Sequence, residues 1–457
     1  MSRQRIKSSF RDCSGSVYLD GDTVFRTVNE NYRNNYTHLI SSDLAASLWE
    51  KKLLIPFEET NHEVTDSWKT LMVERLPFIS YPYEWCFSQL KDAALLTLDV
   101  QLEALAHGMV IKDASAYNVQ FHGGKPVFID CLSFEVLREG EPWVAYAQFC
   151  SHFLAPLALI KKVDLRCGAL SRLWIDGIPL ELASKLLPKH TLLSPSQAWH
   201  LHLHAWMQKR HADTRVSAKK ARSVRVSKQT LEGIAKSLGH AVKSLSPPKA
   251  VTEWGDYYSD TNYSDEAFAA KMEVVTQVAS RLRPDVLVDI GANTGVFSRI
   301  AAEYCGLVVA ADIDPLAVEY HYNHLCSTGP KNILPLIIDL TNPSPDLGWA
   351  CEERNSFIKR CDAGLVLALA LVHHLVIGNN VPFGMIAEFL AGIGSYILVE
   401  FVPKKDSQVQ RLLATRKDIF VDYDEETFLT ALEKYFIVEE RFSLPESVRS
   451  IFLLRRI

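Results

Sequence analysis

Apolar and polar positions follow different patterns in the two halves of the chain. In the second half, short apolar runs recur between stretches of helical spacing. Val286 to Ile290, Gly306 to Ala311, Leu334 to Asp339, Asp362 to Leu371 and Tyr396 to Glu400 read as buried strands. The intervening helical patterns are what βαβ units of a parallel sheet require. The first half opens on Val17-Tyr18-Leu19 and Val24 to Val28 flanking Asp20-Gly21-Asp22, a hairpin with a glycine in its turn. Ser41 and Ser42 are candidate caps for a helix through Leu44, Leu48 and Leu53, and Leu71 to Leu76 reads as a strand. The proline- and aromatic-rich stretch Pro77 to Trp85 reads as a rigid connector. Leu90, Ala94, Leu98, Leu102 and Leu105 then repeat at helical spacing until Gly108.

The stretch Val286 to Ser298 organises the second half. A strand breaks at Gly291, and a helical pattern starts near Val296. Glycines at 291 and 295 let the backbone turn tightly and let a ligand approach. The next strand ends in Asp312-Ile313-Asp314-Pro315, and a carboxylate there stands where a ribose would lie. No Gly-Lys-Ser/Thr follows, so this is not a Walker loop. Asn293 stands in place of the second glycine of the dinucleotide fingerprint. The run Asp289-x-Gly291-x-x-x-Gly295 instead resembles motif I of class I S-adenosylmethionine (SAM) methyltransferases, from about Tyr257 to the C-terminus. The resemblance implies an α/β, Rossmann-like, seven-stranded sheet closed by an antiparallel pair, Phe436 to Leu444 and Ser450 to Arg456. It implies SAM as cofactor, with Asp289, Gly291, Asn293 and Gly295 at its methionine end, Asp312 on the ribose and Asp339 beside adenine. His373, in Val372-His373-His374-Leu375 after the fourth strand, and Glu400, at the end of the fifth, are candidates to orient or deprotonate a methyl acceptor. Both could equally be wall residues. No Asn-Pro-Pro-Tyr signature of amino-base methylation is present, and a hydroxyl of a small molecule or glycan is the favoured acceptor. The aromatics Trp254, Tyr257, Tyr258 and Tyr263 could cover such a pocket or simply pack a helix.

A second constellation lies in the first half. Asp113-x-x-x-x-Asn118 is followed by a short strand, the Gly123-Gly124 turn, another strand and Asp130. This resembles the catalytic loop and metal-binding Asp of protein-kinase-like phosphotransferases, including the aminoglycoside and choline kinase branch. The resemblance implies an N-terminal α+β kinase-like domain. Asp113 would receive a hydroxyl proton, and Asn118 and Asp130 would hold magnesium around ATP phosphates. The departures are specific. Ile111-Lys112 replaces His-Arg, Cys131-Leu132 replaces Phe-Gly, and no glycine-rich loop appears near the first hairpin. Arg26 occupies the position of the third-strand lysine. The other reading is a surface hairpin whose Asp and Asn residues cap turns.

Length and composition complete the outline. At 457 residues the chain divides into residues 1–207, a kinase-like domain, 208–250, a basic linker, and 251–457, a methyltransferase domain. A net charge of −5 argues against general nucleic-acid affinity. Lys209, Arg210, Arg215, Lys219, Lys220, Arg222, Arg225 and Lys228 nevertheless make the linker basic, and RNA or an anionic glycan could dock there. Nine scattered cysteines with no Cys-x-x-Cys suggest neither a disulfide framework nor a zinc site. His200 and His204 share a helical face without a completing ligand, so a packed pair is expected. No run reaches transmembrane length, and a cytoplasmic location is expected. Joined kinase and methyltransferase modules resemble, in content, bacterial enzymes that cap polysaccharides. RNA or protein methylation, and a non-catalytic SAM-sensing scaffold, are the competing readings.

Overall fold

A computed structural model of the chain describes residues 4–61, 67–207, 225–248, 264–327, 329–414 and 416–457. The chain divides into two units, Met1–Lys249 with Leu347–Arg354, and Ala250–Asp346 with Asn355–Ile457.

The first unit begins with a five-stranded antiparallel sheet. Its strands are β1 (Gln4–Arg5), β2 (Val17–Asp20), β3 (Thr23–Val28), β4 (Phe57–Thr60) and β5 (Lys69–Val73), in the order β1-β2-β3-β5-β4. The hairpin read from Asp20-Gly21-Asp22 joins β2 to β3, with Tyr18 opposite Phe25 and Gly21 at φ 58°. The periodic leucines lie on a helix, Phe87–Ala106, whose Leu90, Ala94, Leu98 and Leu105 are buried. Gln101 on the same helix is also buried, and its side-chain oxygen accepts the Ile111 N–H at 2.8 Å. That bond ties the helix to β6 (Met109–Ile111), which precedes β7 (Val119–His122), β8 (Lys125–Phe128) and β9 (Phe134–Val136). β6 pairs with β9 and β7 with β8, each antiparallel.

The stretch read as a basic linker, residues 208–250, is described from residue 225 to residue 248. The helix Lys228–Lys243 belongs to the first unit and buries Leu231, Ala235, Leu238, Ala241 and Val242. The Lys91 ammonium donates to the Leu245 carbonyl at 2.6 Å and anchors the helix end. The helix is amphipathic: its apolar positions recur every three or four residues among lysines and other polar residues. Lys209, Arg210, Arg215, Lys219, Lys220 and Arg222 lie outside the described residues, as do Trp254, Tyr257, Tyr258 and Tyr263.

The second unit holds a seven-stranded, mostly parallel α/β sheet. Its strands are β10 (Val286–Ile290), β11 (Leu307–Asp312), β12 (Ile333–Ile337), β13 (Ala363–Ala368), β14 (Gly394–Phe401), β15 (Phe436–Ser443) and β16 (Ser450–Arg456). Their order is β12-β11-β10-β13-β14-β16-β15. β10 to β14 run parallel, and β16 lies antiparallel between β14 and β15. Central strands such as Val286–Ile290 are covered on both faces and so read as continuous apolar runs. The chain moves outward one way from β10 through β11 to β12, then reverses to β13. That reversal opens a crevice at the carboxyl ends of β10 and β13.

A cluster of charged side chains is buried in this unit. The Lys271 ammonium, on the helix Asp265–Leu282, meets Glu400 of β14 at 2.6 Å. Arg449, just before β16, lies 3.5 Å from Glu400 and binds Asp406 at 2.7 and 3.1 Å. Glu400 is fully buried, and it also accepts the Ala370 N–H at 2.8 Å. Removing one partner strands the other charges without water. Glu400→Ala should therefore cost about 3–5 kcal/mol in urea denaturation. A loss below about 1 kcal/mol, the range of an exposed pair, would show that the cluster contributes little.

Candidate functional site

The glycine turn after β10 builds one wall of a cavity. Gly291 has φ 78°, and its N–H and that of Ala292 donate to the Ala311 carbonyl at 2.8 and 3.1 Å. Asn293, at φ 50°, donates its N–H to Asp312 at 2.7 Å. Gly295, at φ 77°, starts the helix Val296–Ala301. A Cβ on Gly295 would lie 1.9 Å from the His321 ring, so both the φ and the close approach demand glycine. Asp289 accepts the Ser298 hydroxyl at 2.6 Å, which ties the strand to the helix after the loop.

This loop opens onto a cavity of about 400 Å³. Asp289, Gly291, Asn293, Asp312 and Asp339 all line it. Three positions of the motif and two carboxylates beyond it thus line one space. Gly295 lies behind them and serves the turn. Asp339 accepts the Thr341 N–H at 2.8 Å and the Thr341 hydroxyl at 2.7 Å, which holds the loop after β12. Asp312 accepts from two backbone N–H groups, Asn293 and, at 2.9 Å, Asp314. Each carboxylate oxygen has a second acceptor position, so Asp312 can still take hydroxyl donors from the cavity side.

The two residues assigned to the acceptor are not on the cavity wall. His373 is 1 % exposed, its Nδ1 has no hydrogen-bond partner, and burial holds its pKa well below the usual value. Glu400 is paired with Lys271 and buried behind the wall. The sequence reading placed both directly after strands. β13 in fact ends at Ala368, Ala370 turns at φ 52°, and a π-helical turn occupies His374–Gly378. His374, whose ring lies 4.1 Å from that of His373, is the histidine on the wall. Lys271 and Phe268 also line the cavity and were missed. Lys271 had a signal: it interrupts the buried stripe of Ala267, Val274, Val275 and Val278 on its helix.

In the first unit, Asp113, Asn118 and Asp130 do converge. The Asn118 amide donates to the Asp113 carbonyl and to the Ser133 hydroxyl, both at 3.2 Å, and Ser133 donates to Asp130 at 2.6 Å. Asp113 accepts from the Gln148 amide at 2.7 Å, and burial followed by the charge of Asp130 raises its pKa. Asp130 accepts from Arg26 at 3.0 Å, and Arg26 also binds Asp12. Among the described residues, no group of three His, Cys, Asp or Glu side chains is placed to hold a metal ion. The histidines at 200, 202 and 204 are packed. His200 bonds Tyr146 and Ser237 at 2.7 and 2.9 Å, and His202 bonds Ser184 and Thr191 at 2.7 and 2.8 Å.

No family model matches the chain. It is 34% identical over 460 residues to the nodulation protein NoeA of Rhizobium meliloti strain 1021, covering 99% of this chain and 96% of that protein. The chain belongs to the NoeA family of nodulation proteins. Solved structures similar to this NoeA relative are distant. The N-methyltransferase NodS of Bradyrhizobium japonicum WM9 is 12% identical over 42% of this chain and 98% of its own, with a TM-score of 0.31. The magnesium protoporphyrin IX methyltransferase ChlM of Synechocystis PCC 6803 is 17% identical over 45% and 92%, at 0.33. The bifunctional kinase-methyltransferase WbdD is 14% identical over 45% and 43%, at 0.31. Likeness at this level carries no argument about activity, and the chemistry of this NoeA relative is argued from its own site. Among its described residues no helix is long and apolar enough to cross a membrane.

Burial pushes both Asp289 and Asp312 up to about 6, and the charge of Asp312 adds to the effect on Asp289. A carboxyl whose midpoint is raised by folding binds its proton more tightly folded than unfolded. It penalises the fold above pH 6, and the penalty fades as pH falls from 6 towards 3.8. Relative to wild type, Asp312→Asn should therefore be more stable at about pH 7.5 than at about pH 5, read by urea denaturation at both values. A difference that does not change with pH would show that Asp312 does not titrate in this window.

Proposed function

We propose that the chain transfers a methyl group from SAM to a hydroxyl of a small molecule or glycan. The observation that carries this reading is Asp312. It ends the second strand of the sheet, beside a glycine turn at the crevice, with its carboxylate facing a cavity of about 400 Å³. The donor set suits the ligand: a carboxylate for two ribose hydroxyls, and Asp289 for an ammonium. Gly291, which has no side chain to block approach, lines the cavity beside them. When bound, SAM supplies an electrophilic methyl on a sulfonium. The chain's part is chiefly to hold that methyl in line with the acceptor oxygen.

The wall beyond the cofactor loop comprises Leu369, Leu371, Leu375, Leu412 and His374. It suits a neutral acceptor. Burial lowers the His374 pKa to about 4, so its ring is neutral near pH 7 and can accept the hydroxyl proton as the new bond forms. This role replaces the ones expected for His373 and Glu400. A SAM-sensing scaffold would bind the cofactor without turnover. Methylation of RNA or protein would instead show as salt-sensitive binding of those acceptors.

Asp312→Ala should weaken SAM binding by about 1–3 kcal/mol in calorimetry, the value of a lost charged hydrogen bond. His374→Ala should leave SAM affinity nearly unchanged and lower turnover on a hydroxyl-acceptor panel by about 10²–10⁴-fold. No turnover by wild type on hydroxyl, RNA or protein acceptors would favour the scaffold.

For the first unit we propose a kinase-like docking module that has lost phosphotransfer. The strand order of its sheet and the convergence of Asp113, Asn118 and Asp130 support the kinase-like reading. The Arg26 guanidinium at Asp130 supports the loss, because it already compensates the carboxylate that magnesium would need. Calorimetry should detect no magnesium-dependent ATP binding. Binding at micromolar ATP would overturn the docking reading and restore phosphotransfer as the hypothesis.

A further inference from the structure

Five of the sixteen residues 192–207 are large apolar side chains left exposed: Leu192, Leu193, Trp199, Trp206 and Met207. Single exposed apolar residues are ordinary, but a group this dense marks a surface that meets something. Residues 195–207 are helical, with a π-helical turn at Ala198–Leu203. The opposite face of this helix buries Gln197, His200, Leu201 and Ala205. Two histidines fix its roll: His200 bonds Tyr146 and Ser237, and His202 bonds Ser184 and Thr191. Trp199 is thereby held outward at 63% exposure. Leu193, 85% exposed, ends the short 3-10 turn Lys189–Leu193 before the helix. Rolling the helix to cover these side chains would break the hydrogen bonds on its inner face.

We propose that this face seats the protein on an anionic lipid surface. Charge complementarity supports that occupant. Between Leu182 and Leu231 the chain carries ten lysines and arginines and one acid, Asp213, although the whole protein has a net charge of −5. Lys189 and Arg225 belong to this set, and both are exposed. Tryptophan suits the boundary between headgroups and acyl chains, because its ring is apolar and its N–H keeps a polar partner. Leucine and methionine gain by leaving water. Lysine and arginine are drawn to anionic headgroups. The inner face stays packed on the protein, so the helix lies along the lipid surface. Single-stranded nucleic acid also favours aromatics and positive charge, but leucine and methionine offer no ring for a base to stack on. A second copy of this chain would bring the same excess of positive charge against itself.

Flotation of the full chain with two kinds of vesicle tests this, one of phosphatidylcholine and one of equimolar phosphatidylcholine and phosphatidylglycerol. Wild type should bind the anionic vesicles at least about tenfold more tightly than the neutral ones, and the preference should fade as salt rises. Leu193→Ser with Trp199→Ser should weaken binding to anionic vesicles by about 10–100-fold. Leu193→Ile with Trp199→Phe should retain most of it. Both pairs change exposed side chains, so their urea midpoints should match wild type. If the serine pair does not fold, Trp199→Gln alone takes its place, with a smaller loss expected. No flotation of wild type with anionic vesicles, equal binding to both vesicles, or full binding by the serine pair would overturn the proposal. Polyuridylate binding without vesicle binding, lost in the serine pair, would reassign the face to nucleic acid. A wild-type dimer in ultracentrifugation that the serine pair dissolves would assign it to a second copy, and either result overturns the lipid reading.

Discussion

The second unit depends on one buried carboxylate. Glu400 sits in β14 with no exposure to water, and a charge there persists only if the surrounding groups match it. The Lys271 ammonium, the Arg449 guanidinium and the Ala370 N–H do so. These partners come from the helix before the sheet, the approach to β16 and the turn after β13. A single charge thereby fixes the relative positions of four segments. It also determines which side chains reach the cavity, since Lys271 is drawn inward and Ala370 is held in its positive-φ turn.

The glycine loop after β10 obeys a different constraint. Its donors and acceptors must be aimed inward before a ligand arrives, and that arrangement has a stability cost. Asp289 and Asp312 are buried with raised pKa values, and Asn293 adopts a left-handed conformation. Such features gather at functional sites because the surrounding fold can sustain them. Here the parallel strands provide that support. Asp289 lies opposite Ala310 and pairs with Leu367 on its other side, and Ala311 receives the loop's first N–H groups. In the first unit the same economy of charge takes another form. Arg26 bridges Asp12 and Asp130, so a guanidinium balances the acidic cluster from within the chain.

Much of this is legible in the residues alone. The apolar runs from Val286 to Glu400 are strands because a doubly covered parallel sheet needs continuous hydrophobicity. Gly291 and Gly295 mark the turn because only glycine takes those φ values cheaply, and Asp312 is marked by its place at a strand end. Less visible is the helix Lys228–Lys243, whose recurring lysines resemble a solvated linker. His373 and His374 are indistinguishable in sequence, since the path of the chain after β13 depends on the Ala370 turn, which Glu400 holds from another strand.

The sequence by itself therefore determined the elements, the parallel sheet and the glycine turn, because these follow from local periodicity and backbone sterics. It also marked Asp312 as a carboxylate that ends a strand. Only the tertiary structure decided which charges became buried pairs. Glu400 went to the core and Lys271 to the cavity because their partners lie 129 positions apart in the chain. Burial and electrostatic matching act between groups that meet only after folding. No window of residues contains that information, and the same glutamate reads as a catalytic base or a structural ion until its neighbours are known.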